Sequence, residues 1–182
     1  VPNSGWACVT GLRMLNASTM GIIGCGEIGR ELALRANAFG MRVIYFQRTR
    51  LEPSEEQALH VEFRPLHRLL AESDWVCPAL PGNPSTHDLI GQAQFAHLKH
   101  GACLVNVARA QIVNRAALLA ALQTGRLGGF ALDPLYEEPG RADDELLAFD
   151  NVIVTHHIAA QPRFNALSDF EDLFTVVARA LA

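Results

Sequence analysis

The chain has 182 residues, a length that suits one α/β domain or slightly more, and 49% of them are hydrophobic against 19% charged. This composition excludes an extended disordered chain and supplies a buried core. The formal net charge of -4 gives no reason to expect nucleic acid or an acidic membrane surface as a partner, and no apolar run is long enough to span a bilayer.

The first clear element is a short apolar strand, residues 19–23, that leads into a glycine loop and then a helical pattern. The loop reads G-x-G-x-x-G, with glycines at Gly24, Gly26 and Gly29. This spacing between a strand and a helix is typical of dinucleotide binding: Gly24 allows the tight turn, Gly26 admits the pyrophosphate, and Gly29 lets the helix pack closely. The phosphate charge then faces free N–H groups at the positive end of the helix.

The helix after the loop is predicted to end at Gly40 and to place four apolar residues on one face, namely Ile28, Leu32, Ala36 and Phe39. Strands and helices then alternate. Further strands are predicted over 42–46, 61–63, 75–80, 102–108, 129–132 and 152–155. Further helices are predicted over 52–59, 65–72, 92–97, 115–123 (capped by Asn114 and stopped by Gly125) and 169–182.

This alternation predicts a doubly wound parallel sheet in a three-layer, Rossmann-like α/β domain. Right-handed crossovers bring the carboxyl ends of all strands to one edge of the sheet, where ligands bind. An arginine, carboxylates and histidines follow three of these strands and are expected to share one cleft: Arg109, then Asp133, Glu137 and Glu138, then His156 and His157. A guanidinium can hold a substrate carboxylate, and a histidine beside a carboxylate can transfer a proton.

The four cysteines, Cys8, Cys25, Cys77 and Cys103, are widely spaced, without a CxxC pair or a Cys/His ligand pattern. We therefore expect no metal site and interpret them as buried free thiols of a cytoplasmic protein.

At this point the chain resembles the D-isomer-specific 2-hydroxyacid dehydrogenases, including glyoxylate and hydroxypyruvate reductases, from about Trp6 to its C-terminus. Four ordered blocks carry the resemblance: GIIGCGEIGRELALRANAFGMRVIYF, LLAESDWVCPALPGNPSTHDLI, LKHGACLVNVARAQIVNRAALLAALQTGRLGGFALDPLYEEP and LLAFDNVIVTHHIA.

The resemblance implies hydride transfer between a nicotinamide cofactor and a small 2-hydroxy or 2-oxo acid, with the catalytic residues Arg109, Glu138 and His157. It also implies that Asp133 contacts the nicotinamide carboxamide and that Pro81, Val107 and Ala108 line the cofactor. Together with the glycine loop and the ends of the second and fourth strands, the candidate cofactor residues are Gly24, Gly26, Glu27, Ile28, Gly29, Gln47, Arg48, Thr49, Arg50, Pro81, Thr86, Val107, Ala108 and Asp133. The resemblance also implies a homodimer.

The sequence departs from the family at three places, one of which is the segment Asp133-Pro134-Leu135-Tyr136 in place of D-V-F. Ala110 replaces the glycine that usually follows the arginine, and His156 replaces the proline that usually precedes the histidine. Two adjacent histidines therefore compete for one role. His157 is preferred because Ile158 and Ala159 follow it, as in the family pattern.

The end of the second strand indicates which cofactor is preferred. Sites that prefer NAD carry an acidic residue there, which binds the ribose hydroxyls. Here the position is Gln47, followed by Arg48, Thr49 and Arg50. Arginines and a hydroxyl would bind the 2′-phosphate of NADP, so we favour NADP over NAD. The alternative is that both arginines are solvated loop residues and the site accepts either cofactor.

In this family the cofactor domain is inserted into a substrate domain. We expect residues 1–182 to form one dinucleotide-binding domain, with a lead-in linker over 1–17 and a closing segment over 165–182, and the substrate domain to be absent. We therefore expect these residues alone to turn over little substrate. An alternative function is a nucleotide-sensing regulator, like the corepressors that share this fold. A Rossmann domain for an S-adenosyl ligand would leave the arginine, glutamate and histidine unexplained.

Overall fold

A seven-stranded parallel sheet forms the centre of the molecule, with helices on both faces. The computed structural model describes residues 13–159. The order of the strands in the sheet is β3-β2-β1-β4-β5-β6-β7. The strands are β1 (Thr19–Ile23), β2 (Arg42–Phe46), β3 (Val61–Phe63), β4 (Trp75–Pro78), β5 (Ala102–Asn106), β6 (Leu127–Leu132) and β7 (Val152–Val154).

Five helices connect the strands: α1 (Glu27–Ala38), α2 (Pro53–Leu59), α3 (Leu66–Glu72), α4 (Gln92–His97) and α5 (Arg115–Gln123). Short 3₁₀ turns, Ala110–Ile112 and Glu145–Ala148, follow β5 and precede β7. Asn114 caps α5 by accepting a hydrogen bond from the N–H of Ala117. Gly40 and Gly125 have positive φ just past the ends of α1 and α5, as the sequence predicts.

The predicted doubly wound fold is confirmed, but several strand boundaries differ. Strands β4, β5 and β7 end at Pro78, Asn106 and Val154, earlier than predicted, because the chain turns away where each loop begins. Strand β6 starts earlier, at Leu127, since Leu127 and Gly129 pair with Ala102 and Cys103 of β5. The closing helix over 169–182 and most of the lead-in linker lie outside the described residues.

The buried face of α1 is also different from the one predicted. Gly29, Ala33 and Ala36 are buried, whereas Ile28 and Phe39 are 63% and 61% exposed. Small residues face the sheet because Gly29 draws the helix close to it, which turns the bulky side chains outward. Ile28 thereby becomes available at the mouth of the glycine loop.

Two apolar layers cover the sheet. The layer around Ile22, Val43 and Tyr45 packs against α1, while the larger layer around Ile44, Leu104 and Leu118 packs against α3, α4 and α5. Cys25 and Cys77 are buried free thiols and Cys103 is half-buried. Within residues 13–159, no helix is both long and apolar enough to cross a membrane.

Candidate cofactor-binding and catalytic site

The glycine loop lies where the strand order reverses, between β1 and its neighbour β4, the usual ligand site of such sheets. Gly24 has φ +96°, and a Cβ there would lie 2.6 Å from the carbonyl oxygen of Ala79. A Cβ on Gly29 would lie 2.2 Å from the carbonyl oxygen of Gly24. Both glycines are therefore required by the protein's own packing.

Gly26 is different, because a Cβ there would meet nothing within 4 Å. It precedes the first turn of α1, and no side chain caps that end of the helix. The N–H groups of the turn thus remain available to an anion. Open space beside uncapped N–H groups fits the pyrophosphate of a nicotinamide dinucleotide.

One groove lies in front of the N-terminal end of α1. It is lined by most of the predicted cofactor residues of the glycine loop and of the loops after β4 and β5. Its lining residues are Gly26, Glu27, Ile28, Ala79, Leu80, Pro81, Gly82, Val107, Ala108 and Arg109. Thr86 is not among them: its hydroxyl donates to the carbonyl oxygen of Pro81 and accepts from the N–H of Asn83, at 2.8 and 2.9 Å. In this structure Thr86 thus closes the loop after β4.

The loop after β2 is tied to the glycine loop by Gln47. Its Oε1 accepts from the N–H of Cys25 at 3.1 Å, and its Nε2 donates to the carbonyl oxygen of Thr49 at 2.6 Å. The two arginines that follow are not equivalent. Arg50 is paired with Glu56, whereas Arg48 is exposed and has no hydrogen bond or ion pair with any residue in 13–159.

Arg109 lies on the turn after β5, and the fully buried Asn106 holds that turn. Asn106 Oδ1 accepts from the N–H of Ala108 at 3.1 Å, and Nδ2 donates to the carbonyl oxygen of Arg109 at 2.9 Å. A Cβ on Gly82 would lie 2.7 Å from Cγ of Arg109, so Gly82 provides the space that this side chain occupies. Ala110 is buried, so the residue that replaces the family's glycine packs into the core.

Asp133, at the end of β6, holds the turn after β7. Its Oδ1 accepts from the hydroxyl of Thr155 at 2.5 Å and from the N–H of Ile158 at 3.0 Å, and Ala159 donates to both oxygens. Burial by itself raises the pKa of this carboxyl, but these hydrogen bonds and the nearby His157 outweigh it and lower the pKa. Asp133 is therefore an anion that fixes the backbone of residues 155–159.

His157 sits on this turn and contacts Glu138. The backbone of His157 is left-handed, with φ 55°, and its N–H donates to the carbonyl oxygen of Asp133 at 2.9 Å. Its Nδ1 lies 2.8 Å from Oε1 of Glu138. Nδ1 thus faces a carboxylate, which leaves Nε2 as the ring nitrogen for proton transfer.

The neighbouring His156 is placed differently. It lines an apolar pocket together with Leu135, Tyr136 and Leu147, and makes no hydrogen bond or ion pair to a carboxylate in the described part of the chain. The same region gives no hydrogen bond between Arg109 and His157 or Glu138. The predicted residues therefore form two groups. One lines the groove and includes Arg109, and the other surrounds Asp133 and includes His157 and Glu138.

Three residues of the site were missed by the sequence interpretation. Asn106 holds the arginine turn, Thr155 is bonded to Asp133, and Gly82 leaves room for Arg109. Asn106 could have been noticed as a polar residue that ends an otherwise apolar strand. Thr155 and Gly82 gave no comparable signal, since both lie in polar or proline-rich loops.

Comparisons with known proteins agree with this arrangement. A profile described as "D-isomer specific 2-hydroxyacid dehydrogenase, NAD binding domain" matches residues 2–159. The chain is 44% identical over 142 residues to a glyoxylate reductase of Thermococcus gammatolerans, covering 78% of this chain and 42% of that protein. It is 41% identical over 151 residues to glyoxylate/hydroxypyruvate reductase B of Klebsiella pneumoniae, covering 81% and 46%.

A solved structure is similar over the same region. The crystal structure of a glyoxylate reductase from Paecilomyes thermophila superposes with a TM-score of 0.79 and 34% identity, covering 87% of this chain and 47% of that one. The chain thus spans a little under half the length of these relatives. None of the three is a regulator, so they give the nucleotide-sensing alternative no support. The chain belongs to the D-isomer-specific 2-hydroxyacid dehydrogenase family, in which its Rossmann-like fold is the NAD-binding domain.

Proposed function

We propose that this chain is the cofactor-binding part of a reductase that transfers a hydride between NADP and a small 2-oxo or 2-hydroxy acid. In this proposal residues 1–182 form one dinucleotide-binding domain. The observation that carries the proposal is the 2.8 Å contact between His157 Nδ1 and Glu138 Oε1, at the edge of the sheet that also carries the glycine loop. A histidine oriented by a carboxylate is the acid–base device that carbonyl reduction requires.

Each residue of the proposed site has its own role in binding or in the reaction. The N–H groups after Gly26 hold the pyrophosphate, while Val107 and Ala108 line the groove beside it. When bound, the reduced nicotinamide supplies the hydride that is added to the carbonyl carbon of the substrate. Arg109 binds the substrate carboxylate and polarises the carbonyl. His157 donates the proton from Nε2 to the carbonyl oxygen, and Glu138 stabilises the charged ring before the transfer.

Asp133 contributes to this proposal in two ways. The family resemblance assigns it to the nicotinamide carboxamide. Its hydrogen bonds to the turn after β7 also position His157. Oδ1 is the main acceptor for this turn, and within residues 13–159 Oδ2 accepts only from the N–H of Ala159. Oδ2 is therefore the oxygen with capacity left for the cofactor amide.

The preference for NADP is supported by the loop after β2. Gln47 puts no negative charge beside the ribose, and Arg48 is an exposed cation without a partner in the described residues. Arg48 is therefore the proposed ligand of the 2′-phosphate. Fluorescence titration of the wild-type chain with NADPH and NADH tests this, and equal or tighter binding of NADH would contradict it.

An Arg48→Ala variant tests the residue itself. We expect it to weaken NADPH binding by roughly 10- to 100-fold, because that is the change in affinity when a hydrogen bond to a charged group is lost. NADH binding should be unchanged, since NADH has no 2′-phosphate. Arg68→Ala is the matched control, since Arg68 is an exposed arginine of α3 that pairs with Glu72. A similar loss in both variants would point to general charge effects.

The catalytic part of the proposal is tested with the polypeptide expressed from its complete gene. Oxidation of NADPH is followed with glyoxylate, hydroxypyruvate and other 2-oxo acids. We expect turnover with at least one of them, and cofactor binding without turnover on any would favour a sensing role. The proposal also includes a homodimer, which the family resemblance implies and which light scattering on the purified protein checks. A cytoplasmic location is proposed from the free cysteines.

A further inference from the structure

A buried tyrosine and a glutamate anchor the far end of the loop that carries Arg48. The side chain of Tyr45, in β2, is fully buried, and its hydroxyl donates to Oε1 of Glu56 at 2.6 Å. The same hydroxyl accepts from the N–H of Leu51 at 2.9 Å. Tyr45 thereby joins the core, the end of the loop and helix α2.

Arg50 completes this anchor by pairing with Glu56. Its Nε donates to Oε1 of Glu56 and its Nη2 donates to Oε2, both at 2.7 Å, so the pair is bidentate. Its guanidinium also lies 5.5 Å from the ring centre of Phe63. The side chain of Glu56 is only 12% exposed. A bidentate pair of this kind fixes the direction of the arginine as well as its charge.

The near end of the loop is anchored by Gln47, which bonds to Cys25 and to Thr49. Residues 47–51 are therefore fixed at both ends. Arg48 lies between the two anchors. It is exposed and, unlike Arg50, has no partner among residues 13–159.

We propose that Glu56 is a positioning residue for cofactor discrimination, which acts through Arg50 and Tyr45 to fix the loop that presents Arg48. Arg50 has a second effect in this arrangement, because it neutralises a carboxylate that would otherwise repel a 2′-phosphate nearby. The inference rests on the proposed preference for NADP. It gives Arg48 and Arg50 different tasks, although the sequence presents them as equivalent.

The competing possibility is that Arg50 binds the phosphate directly when the cofactor is bound. In that case Glu56 competes with the phosphate for the guanidinium of Arg50. The two possibilities predict opposite signs for Glu56→Gln. If Glu56 positions the loop, this variant weakens NADPH binding. If Glu56 competes with the phosphate, the variant releases Arg50 and strengthens NADPH binding.

The experiment measures the dissociation constants of NADPH and NADH for the wild-type chain, Glu56→Gln, Arg50→Ala and the double variant. We expect Glu56→Gln to weaken NADPH binding several-fold and to change NADH binding less than twofold. Arg50→Ala is expected to weaken NADPH binding more, because it leaves Glu56 charged, and the double variant is expected to return to the level of Glu56→Gln. A double variant as weak as Arg50→Ala would overturn the inference.

Two further variants keep the result interpretable. Tyr45→Phe removes only the hydroxyl from the core and should shift NADPH binding in the same direction as Glu56→Gln, so it replaces that variant if the latter does not fold. Glu62→Gln makes the same charge change in an ion-pair network with Arg42 and Arg64, and should leave both cofactors unaffected. Thermal melts and circular dichroism verify that each variant is folded.

The possible failures are distinguishable. A wild-type chain that binds NADH as tightly as NADPH removes the proposed preference and this inference together. A wild-type chain that prefers NADPH, with an unchanged ratio in Glu56→Gln and Tyr45→Phe, overturns the positioning role alone. The ratio of the two affinities is the deciding measurement, since a purely structural role for Glu56 would weaken both cofactors equally.

Discussion

The hydroxyl of Thr155 donates a 2.5 Å hydrogen bond to Oδ1 of Asp133, and this contact joins the ends of β6 and β7. The same carboxylate oxygen accepts from the N–H of Ile158, beside His157. The placement of the histidine therefore depends on a residue that binds neither substrate nor cofactor in the proposed site.

Removal of this hydroxyl should impair catalysis more than cofactor binding. Thr155→Val keeps the shape but loses one hydrogen bond to a charged group, worth about 1.5–3 kcal/mol. We expect a lower kcat with little change in the dissociation constant of NADPH, measured on the polypeptide from the complete gene. Thr155→Ser keeps the hydroxyl and should behave almost as wild type. A loss in Thr155→Ser with none in Thr155→Val would show that the methyl group, not the hydrogen bond, matters.

The three glycines of the loop should separate into structural and binding roles. Gly29→Ala places a Cβ 2.2 Å from a backbone oxygen, so we expect it to destabilise the fold by about 1–3 kcal/mol, as overpacking does. Gly26→Ala meets no protein atom within 4 Å and should leave the melting temperature unchanged. It should nevertheless weaken NADPH binding by about tenfold or more, because it fills the space of the pyrophosphate. Melting curves and titrations on the same samples check both, and a destabilised Gly26→Ala variant would contradict this division.

The adjacent histidines should differ sharply in their effect on turnover. Loss of a general acid–base group typically costs about 10²- to 10⁴-fold in rate, and we expect a loss of that size for His157→Gln with cofactor binding retained. His156→Gln changes a side chain that lines an apolar pocket, so its kcat should stay close to that of the wild type, far from the loss expected for an acid–base group. Steady-state kinetics with the best 2-oxo acid measures both. A larger loss in His156→Gln would reverse the assignment.

The pair of Arg50 and Glu56 should give stability a specific dependence on pH. The hydrogen-bonded guanidinium of Arg50, helped by the hydroxyl of Tyr45, lowers the pKa of Glu56 from 4.5 to about 2, although burial opposes the shift. Because the pKa is lowered on folding, the stabilisation is fully present above pH 4.5 and is lost as the pH falls towards 2.

Urea unfolding between pH 6 and about pH 3 checks this for the wild-type chain and Glu56→Gln. We expect the wild type to be the more stable at pH 6, and the difference in free energy of unfolding to shrink as the pH falls below 4.5. A difference that stays constant across this range would show that the charge of Glu56 contributes nothing to the fold.

The sequence by itself determined the fold and the position of each candidate residue along the chain. Alternation of apolar strands with helices requires a parallel sheet, and a parallel sheet requires its strand ends to meet at one edge. The glycine spacing is also local, since it depends on one turn and one helix start. For these reasons the parallel sheet and the glycine loop at its edge could be predicted from the pattern itself, whereas the strand order was not predicted and the pairing of His157 with Glu138 was implied by the family resemblance.

Only the tertiary structure decided which of several similar residues is available for chemistry. Arg48 and Arg50 are alike in the sequence, but Glu56, on another element, engages only Arg50. His156 and His157 are neighbours, but the left-handed turn held by Asp133 directs only His157 to a carboxylate. These distinctions arise from hydrogen bonds between residues that are distant along the chain. Such contacts cannot be predicted from a local sequence pattern.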